Sequence, residues 1–185
     1  MRKLIYSINV SLDGCCDHTK MSGDEETHGY FTSLLHEVDV QLFGRKTYEL
    51  MVPYWPDIAK NPSAETKSDV DFAQAFASKQ MVVVSRSLPQ PEDKNTRVIR
   101  ANLKDEVLKL KQQPGKPILC GGVNVAAQLI ELGLVDEFRL VLQPILVGGG
   151  TRLAEGIHLA QKLQLKLTST STFKSGSVAL HYAKQ

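Results

Sequence analysis

The sequence predicts an α/β domain: a mostly parallel sheet with helices on both faces, closed by an antiparallel C-terminal hairpin. Three observations carry this. Short apolar runs alternate with segments of helical period through most of the chain. The run Met81–Val84 is apolar throughout, as in a strand covered on both faces. Two alternating segments at the end are separated by Lys174-Ser175-Gly176-Ser177, a hairpin turn.

The elements follow in order. Residues Lys3 to Val10 alternate and form the first strand. Ser11 to Gly23 is polar, with Asp13-Gly14 as a turn signal. Asp24 caps a helix running to about Glu37, with Tyr30, Phe31, Leu34 and Leu35 inward. Val38 to Phe43 is the second strand. Gly44-Arg45-Lys46-Thr47 then opens a short helix expected to end before Pro53, and Pro53 to Ser63, with three prolines and the only Trp, reads as a loop. Asp69 to Ser78 is helical, Met81 to Val84 the third strand and Arg97 to Arg100 the fourth. The helix Leu103 to Gln112 stops at Pro114-Gly115. Ile118 to Cys120 is the fifth strand, Val123 to Leu132 a helix and Glu137 to Leu146 the sixth strand. Leu163 to Phe173 and Ser177 to Tyr182 make the hairpin. No repeat or linker divides the chain, so residues 1–185 form one domain.

Composition narrows the function. With 185 residues the chain can bury a substantial core. A formal net charge of +2, with both signs interleaved, gives no nucleic-acid signal. No apolar run is long enough to cross a bilayer, and the N-terminus is unlike an export signal, so a cytoplasmic protein is expected. Three cysteines (Cys15, Cys16, Cys120) make neither a disulfide framework nor a zinc spacing, and no metal site is expected.

The candidate chemistry lies at strand ends. Gly121-Gly122 stands between the fifth strand and a helix, where backbone N–H groups and the helix dipole suit a phosphate. Gly44-Arg45-Lys46-Thr47 repeats that logic after the second strand, with added charge and a hydroxyl. Ser85-Arg86 follows the third strand and suits the 2′-phosphate of a phosphorylated dinucleotide. Each motif alone is compatible with an ordinary turn. Together they fall where α/β sheets bind ligands. The G-x-G-x-x-G spacing of a Rossmann domain is absent.

Here the chain resembles a family. GRKTYE after a strand, VVVSRS, the opening SLDG, and the block from Gly121 to Leu153 resemble the dihydrofolate-reductase-like superfamily. The match is to the branch typified by the C-terminal reductase domain of the bifunctional riboflavin-biosynthesis deaminase-reductase. The resemblance implies a three-layer fold and NADPH bound in an extended pose. It implies Gly44, Arg45, Lys46 and Thr47 at the pyrophosphate, and Ser85 and Arg86 at the 2′-phosphate. It also implies Gly121, Gly122, Asn124 and Val125 along the pyrophosphate and nicotinamide ribose, with Ile8, Val10 and the Ser11–Gly14 loop bordering nicotinamide and substrate. The zinc deaminase signatures H-x-E and P-C-x-x-C are absent from this chain. The basic groups that would grip a ribose-phosphate are not evident between Ser11 and Gly23.

The implied activity is an NADPH-dependent reductase of the CH-OH or CH-NH class, passing hydride to a pteridine or aminopyrimidine, as 5-amino-6-(5-phosphoribosylamino)uracil reductase does. The alternatives are a nucleotide-binding dimeric module without catalysis and a dihydrofolate reductase. Asp24 and Asp13 are the candidate acids, with helix capping and turn formation as their competing roles. Open edge strands at Leu140–Leu146 and Leu163–Phe173 point to a homodimer.

Overall fold

A computed structural model describes residues 1–21, 23–64 and 66–185. Eight strands make one sheet, in the order β4-β3-β2-β5-β1-β6-β8-β7. They are β1 (Leu4–Ser11), β2 (Val40–Gly44), β3 (Gln80–Val84), β4 (Thr96–Ile99), β5 (Ile118–Cys120), β6 (Glu137–Gln143), β7 (Leu165–Thr172) and β8 (Val178–Lys184). The first six positions of that order are parallel; β8 runs antiparallel to β6 and β7.

Alternation along β1 sorts the core. Leu4 and Tyr6 join a cluster with α4 (Leu103–Gln112) and α5 (Asn124–Glu131) on one face. Ile5 joins a cluster with α1 (Glu25–Glu37), α2 (Arg45–Lys60) and α3 (Lys67–Ala77) on the other. Burial on both faces is why β3 and β5 read as unbroken apolar runs. The sequence therefore anticipates the fold class and, among the described residues, the eight strands and five α-helices.

Four expectations need correction. The helix opened by Gly44 does not stop before Pro53: α2 runs on to Lys60 with Pro53 and Pro56 inside it. The lost amide bonds are outweighed by packing, because Met51, Val52 and Trp55 seat the helix on the α1–α3 side of the core. So Pro53 to Lys60 is helical and not loop. Strand β6 ends at Gln143, before Pro144, which cannot donate to the ladder. It is also no edge strand, since it pairs with β1 and β8. The true edge of the C-terminal half is β7, which begins at Leu165 and is exposed from Lys166 onward.

Candidate functional site

Parallel strands deliver their carboxyl ends to one side of the molecule, and a cleft of about 1270 Å3 runs along that side. It crosses β4, β3, β2, β5 and β1 in spatial order, lined in turn by Arg100, Ser85, Gly44, Gly121 and Ile8. The structure brings eleven of the twelve residues anticipated at a cofactor onto this one surface: Ile8, Gly44, Arg45, Lys46, Thr47, Ser85, Arg86, Gly121, Gly122, Asn124 and Val125. Val10 is the exception, buried at 4% exposure and not part of the lining.

The helices that start on the cleft differ from those that do not. Asp24 caps α1 and Thr66 caps α3, each accepting a backbone N–H of the first turn. The helices α2, α4 and α5 begin at Gly44, Asn102 and Val123 with no side-chain cap. All three of those residues line the cleft. Three sets of unpaired N–H donors thus open on one surface.

The glycines hold that surface close to the backbone. Gly122 has φ +80°, and a Cβ there would lie 2.5 Å from Thr47 Oγ1. A Cβ on Gly121 would meet the Phe43 ring at 2.8 Å. Backbone is therefore bare between the starts of α2 and α5.

Charge along the cleft is polarised. Arg45, Lys46, Arg86 and Arg100 lie along the β2–β3–β4 portion, and Asp17 and Glu155 lie at the β1 end. Arg45 pairs with Glu49 at 3.2 Å. Arg86 and Lys46 have no ion pair among the described residues. Arg100 Nη1 donates to the Arg86 carbonyl at 3.3 Å, which brings the two guanidinium-bearing chains together. The Ser85 hydroxyl accepts from the amides of Ser87 and Leu88, so it shapes the turn that presents Arg86.

Neither anticipated acid lines the cleft. Asp13 accepts from Ser11 Oγ at 2.6 Å and from the amides of Val147 and Gly148 at 3.1 and 2.9 Å, and it also receives Arg152. These bonds, the Ser11 hydroxyl first, hold its carboxyl well below the usual range. Asp13 ties the loop after β1 to the turn after β6, where Gly148 and Gly150 have positive φ. Asp24 accepts the Thr27 amide at 2.7 Å as the cap of α1.

Three stretches of lining lie outside the residues anticipated at a cofactor: Arg100–Leu103, Cys16–His18, and Thr151 with Glu155 and Gly156. Arg100–Leu103 ends β4 as Ser85-Arg86 ends β3, and that parallel could have exposed it. At Cys16–His18 the sequence offers an ordinary loop thiol and a polar-loop histidine that could donate a proton, a reading outweighed there by that of an ordinary loop residue. Nothing local sets them on the cleft. Their position depends on a bond from Cys16 N to the Thr151 carbonyl at 2.8 Å and a bridge between Cys15 and Arg152, far apart in sequence. Among the described residues no group of three His, Cys, Asp or Glu side chains could hold a metal ion, and no helix is long and apolar enough to cross a membrane.

Fold and cleft together define a dihydrofolate-reductase-like sheet. The dihydrofolate reductase of Enterococcus faecalis, solved with NADP(H) and RAB-propyl, superposes with a TM-score of 0.66 at 12% identity, covering 99% of this chain and 96% of that one. Over residues 2–179 the sequence matches the RibD C-terminal domain, and the chain belongs to that family. The Bacillus subtilis (strain 168) protein YyaP, itself uncharacterized, is 37% identical over 98% of this chain and 94% of its own length. A pyrimidine reductase-like protein of Corynebacterium diphtheriae has a TM-score of 0.68 at 15% identity, covering 100% of this chain and 92% of that one. The Thermotoga maritima diaminohydroxyphosphoribosylaminopyrimidine deaminase/5-amino-6-(5-phosphoribosylamino)uracil reductase has a TM-score of 0.68 at 12% identity. All of this chain aligns with 57% of that bifunctional enzyme.

Proposed function

We propose that this protein is an NADPH-dependent reductase that passes hydride to a small heterocycle of the pteridine or aminopyrimidine class. Family membership and the reductase neighbours support a reductase-like role. The observation that carries the cofactor is the cleft: three uncapped helix starts and four basic side chains along five strand ends. An extended dinucleotide fits that arrangement. Its 2′-phosphate belongs beside Arg86 and Arg100, its pyrophosphate over Gly44–Thr47 and Gly121–Asn124, and its nicotinamide toward Ile8. NADPH would supply the hydride; the chain's part is to hold it in line and keep water out.

Titration with NADPH, followed by nicotinamide fluorescence, tests the reading. Binding in the micromolar range is expected, and NADPH oxidation with one of a panel of pterins, aminopyrimidines and dihydrofolate should follow. No binding at millimolar cofactor sinks it. Binding without turnover of any of these compounds would favour a nucleotide-binding module of the same fold.

The reading includes a cytoplasmic location and a homodimer. Leu140, Leu142, Val178 and Leu180 are half-buried and belong to neither core cluster. Ladder register sets Ile8, Leu140, Leu180 and Thr170 in one row across four strands, on one face of the sheet. Beyond Ile8, which belongs to the cleft, that row carries no charge and suits a second copy of the chain.

A further inference from the structure

We propose that His18 hands the proton to the substrate atom beside the carbon that receives hydride. The proposal rests on the reductase reading. Hydride addition to C=N or C=O leaves an electron pair on nitrogen or oxygen, and a nearby donor must protonate it.

Asp13 and Asp24 do not line the cleft, and both are engaged elsewhere. At the β1 end the titratable lining is Cys16, Asp17, His18 and Glu155. Burial and the neighbouring Cys15 push the Cys16 thiol up to about 12, too weak an acid to donate readily. Asp17 accepts Thr19 N and Thr19 Oγ1 at 3.0 and 2.7 Å, which hold its carboxyl below the usual range and deprotonated. Glu155, exposed like His18, has its carboxylate engaged by the Arg152 amide at 3.0 Å. That leaves the imidazole, the side chain suited to proton transfer near neutrality.

The backbone around His18 is also held in place, with the imidazole exposed. The residue opens a 3-10 turn, His18–Lys20, capped by Asp17. The chain leading to it is tied to the end of β1 by Ser11 N to the Cys15 carbonyl at 2.9 Å, and to the facing segment by Cys16 N to the Thr151 carbonyl at 2.8 Å. Gly150 lets that segment close up, since a Cβ there would meet Cys15 Sγ at 2.9 Å and Asp17 Cβ at 3.2 Å. The Asp17 carboxylate interacts electrostatically with His18, its neighbour in sequence. Other charges around this end are Lys20 on the same turn, Arg152 and Glu155 from the facing segment, and Arg45 and Lys46 at the head of α2.

In the step, hydride from reduced nicotinamide forms the new C–H bond and the nicotinamide becomes oxidised. The π pair moves to nitrogen or oxygen and takes the proton from a His18 ring nitrogen. Water then reprotonates the ring.

His18→Gln tests this in the full-length chain. NADPH affinity should stay within about threefold of wild type. Turnover of 5-amino-6-(5-phosphoribosylamino)uracil or dihydrofolate, whichever the wild type reduces, should fall roughly 100-fold. The wild-type rate should fall as pH rises through the imidazole titration, and that limb should vanish in the variant. A readout free of turnover is the NMR ring signal of His18, assigned by its loss in His18→Gln: it should move when NADP+ and either compound are bound together. Full turnover in His18→Gln, or a ring signal unmoved in both complexes, overturns the proposal. Failure of the wild type to bind NADPH would instead bring down the reductase reading itself.

Discussion

Gly122 carries the tightest requirement in the cleft. Its backbone sits at φ +80°, and Thr47 Oγ1 occupies the space a Cβ would need. Gly122→Ala should cost about 1 kcal/mol or more of stability and lower NADPH affinity at least tenfold, read by denaturation and by fluorescence titration. Arg86 and Arg100 test the cofactor's identity. Hydrogen bonds to charged groups are worth about 1.5–3 kcal/mol, so Arg86→Ala alone should weaken NADPH roughly 10–100-fold, Arg86→Ala/Arg100→Ala should weaken it further, and both should leave NADH nearly unchanged. Asp13 belongs to stability. Its folded titration is lowered, so its contribution is full above the unfolded carboxylate range and is lost as pH falls through the folded one. The Tm deficit of Asp13→Ala should therefore be largest at neutral pH and close below about pH 4. A deficit that grew on acidification would contradict the clamp described for Asp13.

Among the elements, α1 and α2 show what local sequence can and cannot convey. The start of α1 was legible because capping is a local bond, from the Thr27 amide to Asp24. Asp24→Ala should cost about 1 kcal/mol and leave NADPH affinity unchanged. The end of α2 was not legible. Pro53 and Pro56 are strong local stop signals, and only the tertiary seat of Met51, Val52 and Trp55 carries the helix past them. The strand ends at Gly44, Ser85 and Gly121 could be found from turn chemistry after apolar runs. The Cys16–His18 lining could not, because pairing across the fold sets its place.

For the whole molecule, sheet order turns separate motifs into one site. Parallel pairing from β4 to β1 places residues far apart in sequence along one edge, basic at one end and acidic at the other. The same sheet leaves a charge-free row through Leu140 and Leu180 on its C-terminal half. Sedimentation should find a dimer, and Leu140→Asp/Leu180→Asp should give a folded monomer. A monomeric wild type would contradict the homodimer. Whether the cleft holds NADPH is decided by paired titrations with NADPH and NADH. Micromolar NADPH binding is expected, with NADH at least tenfold weaker and that preference lost in Arg86→Ala/Arg100→Ala. No NADPH binding, or equal affinity for the two cofactors in the wild type, would contradict NADPH as the ligand of the cleft.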